Sequence, residues 1–163
     1  MIQKIKTLAI CSVLTSYMFS QMTSAEETLL TCQVITPNVI WTEEDGHIFS
    51  ENEIDLIALV TMAEAEGEDE YGKRLVIDTI INRVKSDYFP DTVEEVIYQP
   101  NHFESVWNGR VEECFVEENI VELVYEEIEE VTDEYVYFFC TGDYSQYGEP
   151  MYQVGNHYFS TYE

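Results

Sequence analysis

Between residues 54 and 63 the apolar side chains Ile54, Leu56, Ile57, Leu59, Val60 and Ala63 recur at helical spacing. Ser50-Glu51-Asn52-Glu53 ahead of them reads as a capping box, in which the serine oxygen and the Glu53 carboxylate satisfy free backbone N–H groups, and Gly67 marks the helix end. A second helix is predicted over residues 71–85 on the stripe Val76, Ile77, Ile80, Ile81 and Val84. Thr92-Val93-Glu94-Glu95 opens a short helix to Tyr98. Residues 99–109 then read as a loop entered through Pro100. Val116, Ile120, Leu123, Val124 and Ile128 mark an acidic amphipathic helix. Residues 135–140 and 153–159 are rich in aromatics and read as two strands. Helices followed by a strand pair predict an α+β domain, mainly helical, with a small antiparallel β element near the C-terminus.

One residue breaks the first apolar stripe. Counted from Ile57, the positions three and seven residues on are Val60 and Glu64, so Glu64 faces where its apolar neighbours face. A carboxyl group beside aliphatic side chains resists ionising and can hand a proton to a leaving oxygen. The alternative is a Glu64 that reaches solvent at the helix end.

The ends and the charge frame the rest. Lys4 and Lys6, the apolar run 8–19 and the small-residue site Thr23-Ser24-Ala25 predict a secretory signal over residues 1–25. Residues 26–50 read as a linker and 51–163 as the functional domain. The chain carries 33 Asp+Glu against 7 Lys+Arg, a net charge of −26. Signal removal makes it more negative, because both early lysines leave and no acid does. Such a surface excludes phosphate-mediated nucleic-acid binding and is repelled by other anionic polymers. Twelve Tyr and 8 Phe argue for a packed core in spite of the charge. Cys32, Cys114 and Cys140 survive signal removal. They allow a Cys114–Cys140 disulfide with one free thiol, or three buried thiols.

Several blocks in order carry a family likeness. Met62-Ala63-Glu64-Ala65-Glu66-Gly67-Glu68 precedes Gly72, the run from Leu75 to Ser86 with Ile81-Asn82-Arg83-Val84, and Phe89-Pro90-Asp91-Thr92-Val93. Val96-Ile97-Tyr98-Gln99-Pro100, Phe103-Glu104-Ser105-Val106-Trp107-Asn108-Gly109 and Val154-Gly155-Asn156-His157-Tyr158-Phe159 follow. From Ile54 to Phe159 the chain resembles the catalytic domain of the bacterial cell wall hydrolases typified by the spore cortex-lytic enzyme SleB. The resemblance implies a lysozyme-like scaffold that cleaves the glycan strand of peptidoglycan. It also implies that Glu64, the first acid of an Ala-Glu-Ala-Arg-Gly-Glu block, is catalytic. The family's usual arginine in that block is Glu66 here.

Glycosidases ordinarily use two carboxyl groups. Glu68, four residues on, is the nearest partner for Glu64; its alternatives are a cap or a pair with Lys73 or Arg74. A lytic transglycosylase needs only one, a glutamic acid that protonates the leaving oxygen and then, as a base, activates the sugar's own 6-hydroxyl. That scheme is the expectation for this chain. Gln99 and Ser105 are expected to hydrogen-bond sugar hydroxyls, and Phe103 and Trp107 to stack on a pyranose or to pin their loop to the core. His157 is expected to orient substrate, to buttress Glu64 or to serve as a structural hydrogen-bonding residue. No His-Glu-x-x-His or Cys-x-x-Cys occurs, so neither a metal nor another cofactor is expected. The expected partner is the glycan strand, met by a secreted monomer that holds no membrane after signal cleavage. Three other readings stay open: a hydrolytic muramidase or glucosaminidase with two carboxylates, a Cys–His wall amidase or peptidase using Cys114 or Cys140 with His157, and a non-catalytic wall-binding module.

Overall fold

The computed structural model describes residues 39–41 and 48–162. The expected signal segment and Cys32 lie outside the described residues. The compact unit that contains the described residues spans Pro37–Glu163.

The capping box forms as the sequence predicts. Ser50 Oγ accepts the Glu53 N–H at 3.4 Å, and the Ser50 N–H donates to Glu53 Oε2 at 2.9 Å. Helix α1 (Glu51–Ala65) starts there. Ile54, Ile57, Ala58, Val60, Thr61, Met62, Ala63 and Ala65 are all buried along it. A helix apolar around most of its circumference belongs at the centre of a domain, and α1 packs on both α2 (Glu70–Val84) and α5 (Glu118–Glu129). Asp69 caps α2 by accepting the Gly72 N–H at 2.9 Å. Helix α3 (Val93–Ile97) closes the floor of the core behind its own Thr92 cap.

Three elements depart from the sequence reading. The stretch expected as a linker carries β1 (Val39–Trp41) and β2 (Ile48–Ser50), paired antiparallel with Ile40 opposite Phe49. Phe49 is fully buried and joins Ile54 in the main core cluster. The two stand before the cap and four residues into the helix, the arrangement of a hydrophobic staple. The expected loop 99–109 contains helix α4 (Glu104–Trp107), followed by a 3₁₀ turn over Arg110–Glu113. Helix α5 begins after Val116, which is exposed, and buries Ile120, Leu123, Val124 and Ile128 together with Glu127.

The β element has three strands: β3 (Phe138–Thr141), β4 (Glu149–Val154) and β5 (His157–Thr161), in the order β3-β5-β4 and antiparallel throughout. The expected single strand 153–159 is broken by a two-residue turn at Gly155-Asn156, between the paired residues Val154 and His157. Gly155 has φ +56°, and a glycine at the first central position is what such hairpin turns demand. Cys114 and Cys140 are free thiols, so the expected pairing does not form. Cys114 packs against the helical core, whereas Cys140 lies in β3.

A buried polar cluster ties the helices to the sheet. Arg74 on α2 donates to Glu70 at 2.9 Å, to Glu126 at 2.5 Å and to the buried Glu127 at 2.7 Å. Glu127 also accepts the N–H and hydroxyl of Thr132. Asp78, fully buried on α2, accepts the Asp133 N–H at 2.9 Å. Asn82 donates to the carbonyls of Asp133 and Val136. The α5–β3 connection is therefore stitched to α2 along its length. Burial, and Glu127 beside it, raise the Asp78 carboxyl well above the usual carboxylate range, so Asp78 holds a proton at neutral pH.

A native carboxyl that stays protonated while its unfolded counterpart ionises near pH 3.8 binds the extra proton in the folded state. Its stabilisation is complete below that pH and declines as pH rises through the raised native value, by up to about 1.4 kcal/mol per pH unit. Asn keeps both the acceptor and the donor but cannot ionise. Asp78→Asn is therefore expected to fold, and its thermal midpoint relative to wild type should climb between pH 5 and pH 8. A relative midpoint that stays flat or falls between these values would show that Asp78 is charged in the fold.

Candidate active site

Glu64 occupies the last turn of α1, and its side chain is half-buried. The residue that meets it comes from 41 positions away. The Ser105 N–H, in the first turn of α4, donates to Glu64 Oε1 at 2.9 Å. The other oxygen, Oε2, accepts no hydrogen bond among the described residues. One half of the carboxyl is thus fixed in space by main chain and the other half is left to act. Ser105 itself is buried, and its hydroxyl has no partner.

Phe103 explains why α4 stands where it does. It is fully buried, with its ring 5.9 Å from Phe139 on β3 and under the guanidinium of Arg83. Of the two expectations for Phe103, stacking on sugar is excluded and pinning the loop to the core holds, since no face of its ring reaches solvent. Its function is to anchor the loop, two residues before the N–H that holds Glu64. Trp107, at the end of the same helix, is 59 % exposed and remains available to a ligand. Gln99 is half-buried, with its side-chain oxygen sealed and without a hydrogen-bond partner among the described residues.

Glu68 has a different engagement from either one expected. Helix α1 ends before Gly67, so Glu64 and Glu68 do not share a helical face. Glu68 reaches the β4–β5 turn instead. The Asn156 N–H donates to its two oxygens at 3.1 and 3.3 Å, and the Asn156 side-chain amide donates at 3.0 Å. A Cβ at Gly155 would lie 1.5 Å from Glu68 Oε2. Glycine is thus required twice there, for its φ and for the carboxylate's approach.

His157, the first residue of β5, is buried between the Phe139 ring at 5.1 Å and Phe159 at 6.0 Å. Its Nδ1 has no hydrogen-bond partner. Burial lowers its pKa below the ordinary histidine value, and the nearby carboxylates of Glu68 and Glu64 oppose that shift. The ring is neutral at pH 7. Glu64, Ser105, His157 and the Glu68–Asn156 clamp are therefore brought together from α1, α4 and the β4–β5 hairpin.

Arg110 completes the arrangement and was not singled out by the sequence. Its Nε donates to the Ala63 carbonyl at 2.7 Å, and its Nη2 meets Glu66 at 2.5 Å. The final carbonyls of a helix lack partners and favour a cation, yet α1 has no basic residue in its last turn. Arg110 supplies one from the 3₁₀ turn and pairs there with Glu66. A glutamate at the end of α1 with no cation nearby in sequence was the one available signal.

A family model described as Cell Wall Hydrolase matches residues 67–160, more than half of the chain. The span opens three residues after Glu64. A spore cortex-lytic enzyme of Oceanobacillus iheyensis is 41% identical over 63 residues, covering 39% of this chain and 23% of that protein. The cell wall hydrolase CwlJ of Bacillus subtilis is 43% identical over 61 residues, covering 35% of this chain and 43% of that protein. The match spans about a quarter of the length of the cortex-lytic relatives. Among solved structures, the catalytic domain of Bacillus cereus SleB aligns with a TM-score of 0.60 at 27% identity, covering 69% of this chain and 92% of that domain. The catalytic domain of the germination-specific lytic transglycosylase SleB of Bacillus anthracis aligns with a TM-score of 0.57 at 26% identity, covering 69% of this chain and 97% of that domain.

Removing the Arg110 donor should loosen the turn that carries Glu64. Arg110→Met is expected to lower the thermal midpoint by a few degrees, as about 1 kcal/mol does for a domain of this size. It should also lower kcat severalfold with little change in KM. Glu66→Gln removes only a half-exposed ion pair and should leave midpoint and kcat almost unchanged. Equal effects of the two substitutions would show that the ion pair, not the Ala63 carbonyl contact, is what matters.

Proposed function

The chain belongs to the cell wall hydrolase family, and from that premise we propose that it is a secreted enzyme that cleaves the glycan strand of peptidoglycan by lytic transglycosylation, with Glu64 as acid and then base. The observation that carries this reading is the contrast between the two carboxyl groups. Glu64 has one oxygen pinned by the Ser105 N–H and one without a partner, whereas both oxygens of Glu68 are taken up by Asn156. One carboxyl group is free to move a proton, and the other holds a hairpin.

In the first half-reaction the Glu64 proton passes to the glycosidic oxygen as the C1–O bond breaks, and positive charge develops on the sugar ring. In the second, the 6-hydroxyl of that sugar attacks C1 and its proton passes to the Glu64 carboxylate. The acid is regenerated and a 1,6-anhydro ring closes without consuming water. The pinned oxygen keeps the carboxyl from turning between the two steps, so the same unpartnered oxygen gives and receives the proton. Neutral His157 packs behind the site without adding a cation that would hold Glu64 ionised. Exposed Trp107 offers an apolar face to a pyranose. The likeness to the germination-specific lytic transglycosylase of Bacillus anthracis supports the same chemistry.

Glu64→Gln retains the shape and the Ser105 contact but cannot donate and regain a proton. Its turnover of purified glycan strands should fall by at least about 10²-fold, the low end of what a positioned acid–base contributes, with an unchanged thermal midpoint. Glu68→Gln keeps an acceptor for Asn156 and should lose less than about tenfold by the same scale. A Glu68→Gln loss as large as that of Glu64→Gln would favour a two-carboxylate mechanism. Retained turnover in Glu64→Gln would remove Glu64 from the chemistry.

A further inference from the structure

The charge economy of this chain has one anomaly. Arg83, near the end of α2, is 3 % exposed and has no carboxylate partner among the described residues. Arg74 and Arg110, by contrast, are both ion-paired. With 33 acids in the sequence, a partner for Arg83 would be easy to supply. Its guanidinium lies against the rings of Phe89, Phe103 and Phe138, 5.2–5.3 Å from their centroids. Aromatic faces return only part of what burying a cation costs. Nε donates to the Tyr137 carbonyl at 2.7 Å, and Nη1 donates to His102 Nδ1 at 3.0 Å. Nη2 makes no hydrogen bond among the described residues.

That guanidinium lines a cavity of about 360 Å³ along the edge of β3 that faces away from β5. The other donors there are matched to an anion. An arginine can only donate, so His102 Nδ1 accepts and its proton is on Nε2. Burial and the Arg83 charge lower the His102 pKa, so the ring stays neutral and keeps that tautomer at pH 7. Asn101, at φ +68°, adds a side-chain amide at the rim. Asp143 is the one acid on the lining, and it accepts the N–H of Tyr144 at 2.8 Å. Burial lowers the Arg83 pKa to about 10, which leaves it a full cation at neutral pH.

The cavity lies one layer of rings from the candidate active site. Phe103 touches the Arg83 guanidinium on one side and leads to the Ser105 N–H that holds Glu64 on the other. Phe139 contacts both Phe103 and His157. Peptidoglycan bears short peptides on its glycan strand, and these carry free carboxylates. Three extended residues reach about 10 Å, comparable to the successive ring contacts Phe103–Phe139 at 5.9 Å and Phe139–His157 at 5.1 Å that separate the two places. An open strand edge suits an extended peptide. We propose that this cavity receives the peptide stem of the glycan substrate, with a stem carboxylate seated on Arg83. The inference rests on the glycan-cleaving reading above and names a second point of attachment for the same substrate.

Calorimetric titration of the full chain with a synthetic stem tripeptide, as the free acid and as its fully amidated form, tests this directly. The free acid should bind at least tenfold more tightly. Arg83→Lys keeps the charge but loses the fork that reaches Tyr137 and His102, and its fold is at risk. The decisive variant is therefore Asn101→Asp, which is exposed, tolerates positive φ and sets a negative charge at the rim. It should weaken free-acid binding at least threefold, whereas Asn119→Asp, the same change of net charge on α5, should not. Equal affinity for acid and amide, no binding of either, or equal effects of the two Asp variants would overturn the proposal. Turnover of intact peptidoglycan is read separately. Its absence would refute the glycan-cleaving reading, while its presence without acid preference would refute only the stem site.

Discussion

Everything in the candidate site depends on a single main-chain hydrogen bond, from the Ser105 N–H to Glu64 Oε1. A glutamate at the end of a helix has three rotatable bonds and no intrinsic reason to point anywhere. Here α1 is fixed by burial on most of its surface, and α4 is fixed by Phe103, sunk in the same core. The bond joins two anchored elements, so the carboxyl inherits the rigidity of the core while half of it stays unpartnered. Arg110 adds a second restraint by closing the last turn of α1 through the Ala63 carbonyl. The hairpin at Gly155-Asn156 adds a third, by drawing Glu68 off to one side.

An acidic chain must also manage buried charge with few cations. Arg74 serves three glutamates at once, and Asp78 avoids ionisation by keeping its proton. These are two solutions to one constraint, because an unpaired buried charge costs more than a shared proton or a shared cation. Arg83 stands outside both solutions. It sits between three rings and an open cavity, with no carboxylate partner among the described residues.

The helices were legible because their signals are local. Ser50 and Glu53 form the predicted box, Thr92 caps α3, and the stripe ending in Val84 lies in the core. The position of Glu64 on the inner side of α1 followed from the same periodicity. What escaped was set by partners distant in sequence. Phe103 was open in sequence between a sugar-stacking face and a core anchor, and only its burial identifies it as the root of α4. Glu68 looked like a second acid until Asn156, 88 residues away, was seen to hold it. The turn at Gly155-Asn156 was hidden inside an aromatic run that read as one strand, although glycine followed by asparagine between alternating residues is a hairpin signal. Arg110 carried no local pattern at all, since its function arises from where the 3₁₀ turn meets the end of α1. The β1–β2 pair was missed because strands of three residues leave almost no periodicity to detect.

The central claim is that one carboxyl group carries both proton transfers and that no water enters the product. Mass spectrometry of the muropeptides released from purified glycan strands by the wild-type chain reads this directly. A 1,6-anhydro end is lighter by one water than a reducing end. The account predicts that the released strands terminate in anhydro sugars from the earliest time points. Reducing ends as the primary product would contradict it, because they require an activated water and a second catalytic group, which the clamped Glu68 does not provide.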